Sequence, residues 1–398
     1  MPPELTIHPQ FIANLVAGLA HWQVQIGELT DADILRLDAR RQNLARIVAY
    51  GLNLVPTQPA AATIILQAFP LIEKRGYWQE WLPLLTSAVA ACSPSDIVLK
   101  AELLNRLGEL YRLTRQLPLA IDTHLQAAAL IEQTDEDHLR HRIGVKLSTA
   151  YVFSREYALA EQYGQQALAG FRAIHAPPEF RAAVLNTLGS VAWQRGQLER
   201  AETRLRQALI LWREAKQPTE RLRTLNNLIG TLRAAKKYEA IQPCYEEALS
   251  CFPHLAGEFE KTLIEVSYGG ALYEQGRYKE AEVVFHRANS AYLQQSPHFY
   301  YRATVAQCLG NTLLKQQGRL GEAASYLEES ARLWHEVDDD LMLANTLGAL
   351  AELYGQQGNP AEAALFYEDA LALLVQYPDD AWAKKLTTEF QRQRQELD

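Results

Sequence analysis

Small residues return in this chain about every 40 positions, at Ala120, Ala160, Ala201, Ala240, Ala281, Ala323 and Ala363. Each stands a few residues past a turn and three or four before a larger residue, as in Gly276-Arg277-Tyr278-Lys279-Glu280-Ala281-Glu282-Val283-Val284-Phe285. Self-similarity at such a period marks units that cannot bury their apolar faces alone and must stack on neighbours. A chain of 398 residues built this way reads as one elongated body, where its length would otherwise suggest two or three domains.

Between the alanines the apolar residues keep a helical period, as in the stripes Leu104, Leu107, Gly108, Tyr111 and Leu185, Leu188, Gly189, Ala192. Each unit holds two helices around a turn that usually carries glycine, at Gly76, Gly196, Gly276, Gly318 and Gly358. Pro177-Pro178, Pro218, Pro253 and Pro297 fall where one unit passes to the next, since proline cannot continue a helix interior. The expected units are 62–92, 98–131, 139–171, 180–212, 219–251, 260–292, 300–333 and 342–375. An N-terminal helical cap over 1–55, an array over 56–377 and a C-terminal capping helix over 378–398 complete the expected plan, because end repeats would otherwise expose an apolar face.

The net charge of −8 gives no global pull toward nucleic acid, whose phosphates call for a basic footprint. The first residues show no secretory pattern, and no run of 18 apolar residues suggests a membrane span. Cys92, Cys244, Cys251 and Cys308 form no paired zinc spacing and read as reduced, buried thiols of a cytoplasmic protein.

The step Leu107-Gly108 with Tyr111, the step Leu188-Gly189 with Gly196 and Ala201, and Leu350-Ala351 with Tyr354, Gly358, Ala363, Tyr367 and Ala370 together resemble the tetratricopeptide repeat, in its long form of about 40 residues. That resemblance implies an all-α fold, a right-handed superhelical α-solenoid of stacked helix-turn-helix repeats. Arg115 and Arg155 replace the turn glycine, and Pro243 falls inside a second helix, where a kink is expected. More narrowly, Leu37-Asp38-Ala39-Arg40-Arg41-Gln42-Asn43-Leu44 with Gly76-Tyr77-Trp78-Gln79-Glu80-Trp81 resembles the start of the repeat sensor in bacterial signal-transduction ATPases of the nucleotide-switch type. Those proteins carry a nucleotide-binding domain upstream, so this chain is expected to be either a free-standing relative of the sensor or an excised piece.

Chemistry-bearing patterns are sparse. No segment supplies Gly-x-x-x-x-Gly-Lys-Ser/Thr, and Gly269-Gly270 lies in a helical pattern where close packing is expected. His138 and His141 share a helical face beside Asp137 but lack a third ligand, so they read as solvated and no metal or cofactor is expected. Asp338-Asp339-Asp340 stands at a unit boundary, where aspartate caps the next helix. Aromatics such as Trp193, Trp212 and Trp334 stand at core spacing, and no serine or cysteine has a nucleophile setting; the chain reads as no enzyme.

First helices of stacked pairs form the concave wall of such a solenoid. Positions around the Leu-Gly step place Asn105, Arg106, Arg142, Lys146, Asn186, Arg223, Asn226, Asn227, Arg233 and Asn311 on it, an amide-rich and basic set. Asparagine donates and accepts toward an extended backbone, and arginine forks onto carboxylates. The expected partner is a protein or peptide with an acidic segment, centred near Arg142, Lys146, Arg223 and Arg233; nucleic acid and membrane are not expected. Two functions are carried forward: a non-catalytic interaction scaffold, and a regulatory sensor that binds a small ligand or peptide and signals to a nucleotide-switch or effector partner.

Overall fold

The computed structural model describes residues 8–27, 31–254, 259–295, 299–378 and 380–397, and these are helical throughout, with no strand among them. They fall into two compact units. Unit 1 comprises Met1–Lys237 and Glu246–Gly257, and unit 2 comprises Tyr238–Tyr245 and Glu258–Asp398.

In unit 1, α1 (Pro9–Ile26), α2 (Asp31–Asp38) and α3 (Arg41–Leu52) precede the helix pairs. These are α4 (Gln58–Arg75) with α5 (Trp78–Ala91), α6 (Ile97–Leu113) with α7 (Leu117–Ile131), α8 (Asp137–Phe153) with α9 (Tyr157–Ala173), and α10 (Pro178–Gln194) with α11 (Leu198–Glu214). Next come α12 (Pro218–Ala234) and α13 (Ile241–Cys251), the helix in which the division between units falls. Unit 2 holds α14 (Phe259–Glu274) with α15 (Tyr278–Ala288), the short α16 (Ala291–Gln295), α17 (Phe299–Leu314) with α18 (Leu320–Glu336), α19 (Asp340–Gln356) with α20 (Pro360–Leu374), and α21 (Ala381–Gln395). The helices are stacked in adjacent pairs, the arrangement of a helical-repeat solenoid.

The first helices of most pairs end the same way. Arg115, Arg155, Gly196, Lys236, Gly276 and Gly358 adopt positive φ, and the next residue's N–H returns to a carbonyl five back, as Gln197 does to Ala192 at 2.8 Å. This six-residue closure satisfies helix-end carbonyls and favours glycine at the left-handed position. Arg115 (φ 65°) and Arg155 (φ 63°) therefore keep the turn without the glycine.

The recurrent alanine is where the second helix meets the first. Ala120, Ala160, Ala201, Ala281, Ala323 and Ala363 are wholly buried. Glycines of the first helices face a large residue from the partner helix: a Cβ on Gly189 of the Leu-Gly step would stand 2.7 Å from Leu205, and one on Gly269 would stand 2.6 Å from Phe285. The expected close packing at Gly269 is thus present.

Pro243 does not kink its helix. The chain takes a 3-10 turn over Tyr238–Ala240, and α13 starts only at Ile241, so Pro243 lies in the first turn, where its missing N–H has no partner to lose. Ile241, not Ala240, takes the buried place.

Four further expectations change or gain detail. The stretch Val55–Glu73 has the length and mean hydropathy (1.2) of a membrane span, although it holds no unbroken run of 18 apolar residues; half of it is buried and it supplies Ile64, Ile65, Phe69 and Ile72 to the core of unit 1. His138 and His141 are only half-exposed and lie edge-on to Phe171, and His138 also to Phe180 at 4.2 Å. Asp339 caps α19 by accepting from the Met342 amide at 3.1 Å. No disulfide joins the four cysteines; Cys244 and Cys251 are buried and Cys92 and Cys308 only partly so.

Candidate functional site on the first helices of unit 1

The first helices of unit 1 touch in a row, α4 with α6, α6 with α8, α8 with α10 and α10 with α12. Packed helices stand 8–10 Å apart, so a straight row would hold α4 and α12 roughly 32–40 Å from each other. Instead Arg223 on α12 lies 3.2 Å from the Glu73 carboxylate on α4, 150 residues away in sequence. The row must curve strongly toward the face that carries these two side chains. That face is the concave wall of unit 1.

Charges on the wall are organised around three glutamates. Glu109 on α6 receives two bonds from Arg112, at 3.0 and 2.8 Å, and one from Lys146 on α8 at 3.0 Å. Its side chain is 3% exposed. Burial opposes its ionisation, but Arg112 and Lys146 outweigh burial and hold its carboxyl well below the usual range. Glu102 takes the fork of Arg142 at 2.9 and 3.4 Å. Burial likewise pushes the Glu73 carboxyl up, and the cations Arg223, Lys146 and Arg106 pull it below its ordinary value.

Farther along the wall the side chains are neutral. Asn227 donates to Asn186 at 3.0 Å and to Ser190 at 3.2 Å, and Thr149 meets Thr187 at 3.3 Å. One concave surface thus joins a charged region, from α4, α6, α8 and Arg223 of α12, to an amide and hydroxyl region on α8, α10 and α12. Such a surface can hold backbone amides and carbonyls in one region and an ionised group in the other.

Each residue expected from the sequence can now be placed. Arg142, Lys146 and Arg223 come together, but as cations already paired with Glu102, Glu109 and Glu73. Asn105 is only 1% exposed and does not line the wall; its carboxamide oxygen has no hydrogen-bond partner. Arg106 lies over the Phe69 ring, 4.7 Å from its centroid. Asn186 and Asn227 bond to each other, and Asn226 is half-buried beside them. Arg233 sits in the last turn of α12, ten residues beyond Arg223 and about 15 Å along the helix, away from the expected centre. Asn311 is on α17, in unit 2.

Sequence reasoning missed Glu73, Glu102, Glu109 and Arg112. A signal existed for two of them: Glu102 precedes Arg142 by one repeat, and Glu109 precedes Lys146 by nearly one, so opposite charges recur at matching places on successive first helices. Glu73 had no such signal, because its partner lies four first helices away. Another missed group is His124 on α7, wholly buried against Gly108, with neither ring nitrogen bonded. Burial drives its pKa down to about 3, against a partial pull upward from Glu109.

An all-helical stack of paired helices with one curved polar wall and, among the described residues, no cluster of metal-binding side chains defines the class of helical-repeat proteins. Residues 180–254 and 301–374 match the tetratricopeptide repeat family, so these two stretches carry its repeats, and the chain as a whole is similar to proteins built from them. No curated protein sequence matches it. Among solved structures it is similar to a Rap protein complexed with competence and sporulation factor, at 15% identity and TM-score 0.59 over 95% of this chain and 99% of that one. The apo quorum sensor NprR from B. thuringiensis gives 16% identity and TM-score 0.59 over 92% and 99%. A signal transduction ATPase with numerous domains and a tetratricopeptide repeat sensor, from Pyrococcus horikoshii, gives 13% and 0.60 over 88% of this chain, which spans about half (55%) of that protein. At these identities the likeness is one of fold.

Proposed function

We propose that this chain is a non-catalytic scaffold, acting in the cytoplasm, that captures an extended peptide or protein segment on the concave wall of unit 1. The observation that carries the reading is the join of two chemistries on one curved face: the Asn186–Asn227–Ser190 amide cluster and the glutamate-centred cations of α6, α8 and α12. An extended segment needs both, amides for its backbone and fixed charge for its register. Four cysteines with no disulfide between them accord with a reducing compartment.

The test is affinity capture from the native host with the wild type and with an Asn186→Ala/Asn227→Ala double variant, followed by mass spectrometry. A partner retained by the wild type and reduced in the variant is the expected result. Equal capture by both would remove the wall from consideration.

The fold neighbours favour a second reading, a sensor. One of them is a quorum sensor, and another is complexed with a competence and sporulation factor. In that reading the ligand shifts the conformation of unit 1 and an effector senses it. A saturable small ligand that raises the melting temperature would favour the sensor, since binding to the folded state alone stabilises it by mass action.

A further inference from the structure

We propose that Arg195, Arg200 and Arg204 form a binding site for a phosphoryl dianion, either free or carried on a phosphorylated side chain. The inference goes beyond the concave-wall reading. Its residues come from the second helices α9 and α11 and from the turn that joins α10 to α11.

Charge is spread unevenly along the chain. Residues 195–237 hold eleven lysines and arginines against four glutamates, a surplus of seven positive charges, in a protein whose net charge is −8. Several of these cations are paired: Arg206 and Lys237 share Glu202, and Arg213 and Arg221 share Glu247. The crowding is greatest at Glu161 on α9, where three arginines converge on one carboxylate. Arg195 Nη1 stands 2.6 Å from its Oε2, and Arg200 Nη2 and Arg204 Nη2 stand 2.7 and 3.4 Å from its Oε1.

Exposure divides the three into a floor and a rim. The Arg204 side chain is 11% exposed, and its Nη1 donates to the Leu188 carbonyl at 3.0 Å, which fixes the guanidinium in place. Arg195 and Arg200 are 40% and 46% exposed and reach solvent, with Arg200 Nη1 steadied by Gln197 at 3.1 Å. A guanidinium has five N–H donors, so both rim arginines keep donors for a ligand after these bonds are made. Burial opposes the ionisation of Glu161, but Arg200, Arg204 and Arg195 outweigh it and hold the carboxyl below its ordinary value. The glutamate is therefore charged, and the cluster carries two positive charges in excess.

That surplus selects the ligand. A carboxylate or a phosphodiester brings one negative charge and leaves the cluster positive. A phosphate monoester carries about −1.5 to −2 at pH 7 and offers three strong acceptor oxygens, which suit donors held in a planar fork. A single-stranded nucleic acid calls for cations along a track interleaved with exposed aromatic rings, whereas these arginines meet at a point.

The test titrates full-length protein with inorganic phosphate at constant ionic strength by calorimetry. Labelled protein is also presented to bead-bound random hexapeptides that carry one phosphoserine or one serine. Wild type is compared with Arg195→Gln/Arg200→Gln and with Arg206→Gln, a half-exposed arginine outside the cluster, after circular dichroism shows the same helicity. The expected result is saturable phosphate binding, or retention on phosphoserine beads over serine beads, that falls about tenfold in the double variant and is unchanged in Arg206→Gln. If the double variant loses helicity, Arg200→Gln alone carries the comparison. Bead retention that free phosphate does not displace assigns the site to phosphorylated peptides; phosphate binding without a bead preference assigns it to free phosphate. A wild type that binds neither probe, or a double variant that binds as the wild type does, overturns the inference. Tighter binding of oligo-dT than of phosphate through the same arginines also overturns it, in favour of a nucleic-acid track. The Asn186→Ala/Asn227→Ala variant should keep phosphate binding, so failure of the concave-wall reading and failure of this site are read separately.

Discussion

At Lys236 the backbone is left-handed, φ 56°, in the turn that closes α12, while the matching places at Gly196 and Gly276 hold glycine. A side chain there costs about 1–2 kcal/mol, and glycine gives part of that back through its freer unfolded chain. Lys236 is exposed, so nothing else is lost on replacement. Lys236→Gly should therefore stabilise the protein by about 0.5–1 kcal/mol, read from the midpoint of urea unfolding. A midpoint that falls would show that the lysine contributes something the turn geometry does not reveal. The arginines at 115 and 155 occupy the same turn position, but both have further contacts, so the lysine is the cleaner site.

Between elements, the decisive contact is a glycine in one helix against a large residue in the next. Gly269 on α14 faces Phe285 on α15, which is 1% exposed and cannot swing away without opening a cavity. Gly269→Ala should cost about 1–3 kcal/mol, the range for overpacking a tight interface, and should be seen as a lower melting temperature with helicity retained. Gly196→Ala would act through backbone strain instead, since a Cβ there meets nothing within 4 Å. The helices were legible from the sequence because apolar period, turn residues and the recurring alanine all repeat. At α13 the reading slipped by a residue: a proline that seemed to sit inside a helix lies in its first turn, after a 3-10 segment. Local propensity alone does not say where a helix begins when a proline can serve either as a breaker or as a starter.

Across unit 1 as a whole, the buried charges and His124 link stability to pH. His124 stays neutral when folded down to about 3, whereas in the unfolded chain it titrates near 6.5. Between those values the unfolded state binds a proton that the folded state refuses, so stability falls as pH drops below about 6.5, by up to about 1.4 kcal/mol per pH unit. Glu109 and Glu73 act lower: their folded values are depressed, so their contribution is present above the ordinary glutamate range and is lost as pH falls through it. The melting temperature of the wild type should drop between pH 7 and 5, and His124→Gln should flatten that drop. An equal slope in the variant would assign the pH dependence elsewhere. What the chain determined by itself was the kind of body it builds, because helix period, turn chemistry and the close-packing alanines are local and repeat. What only the tertiary structure decided was the state of the wall: which cations are spent on glutamates, that Asn105 is buried, and that α12 curls back to meet α4. Those outcomes depend on helices up to 150 residues apart sharing one curved, poorly hydrated face, where each charge is set by neighbours that the linear order does not place beside it.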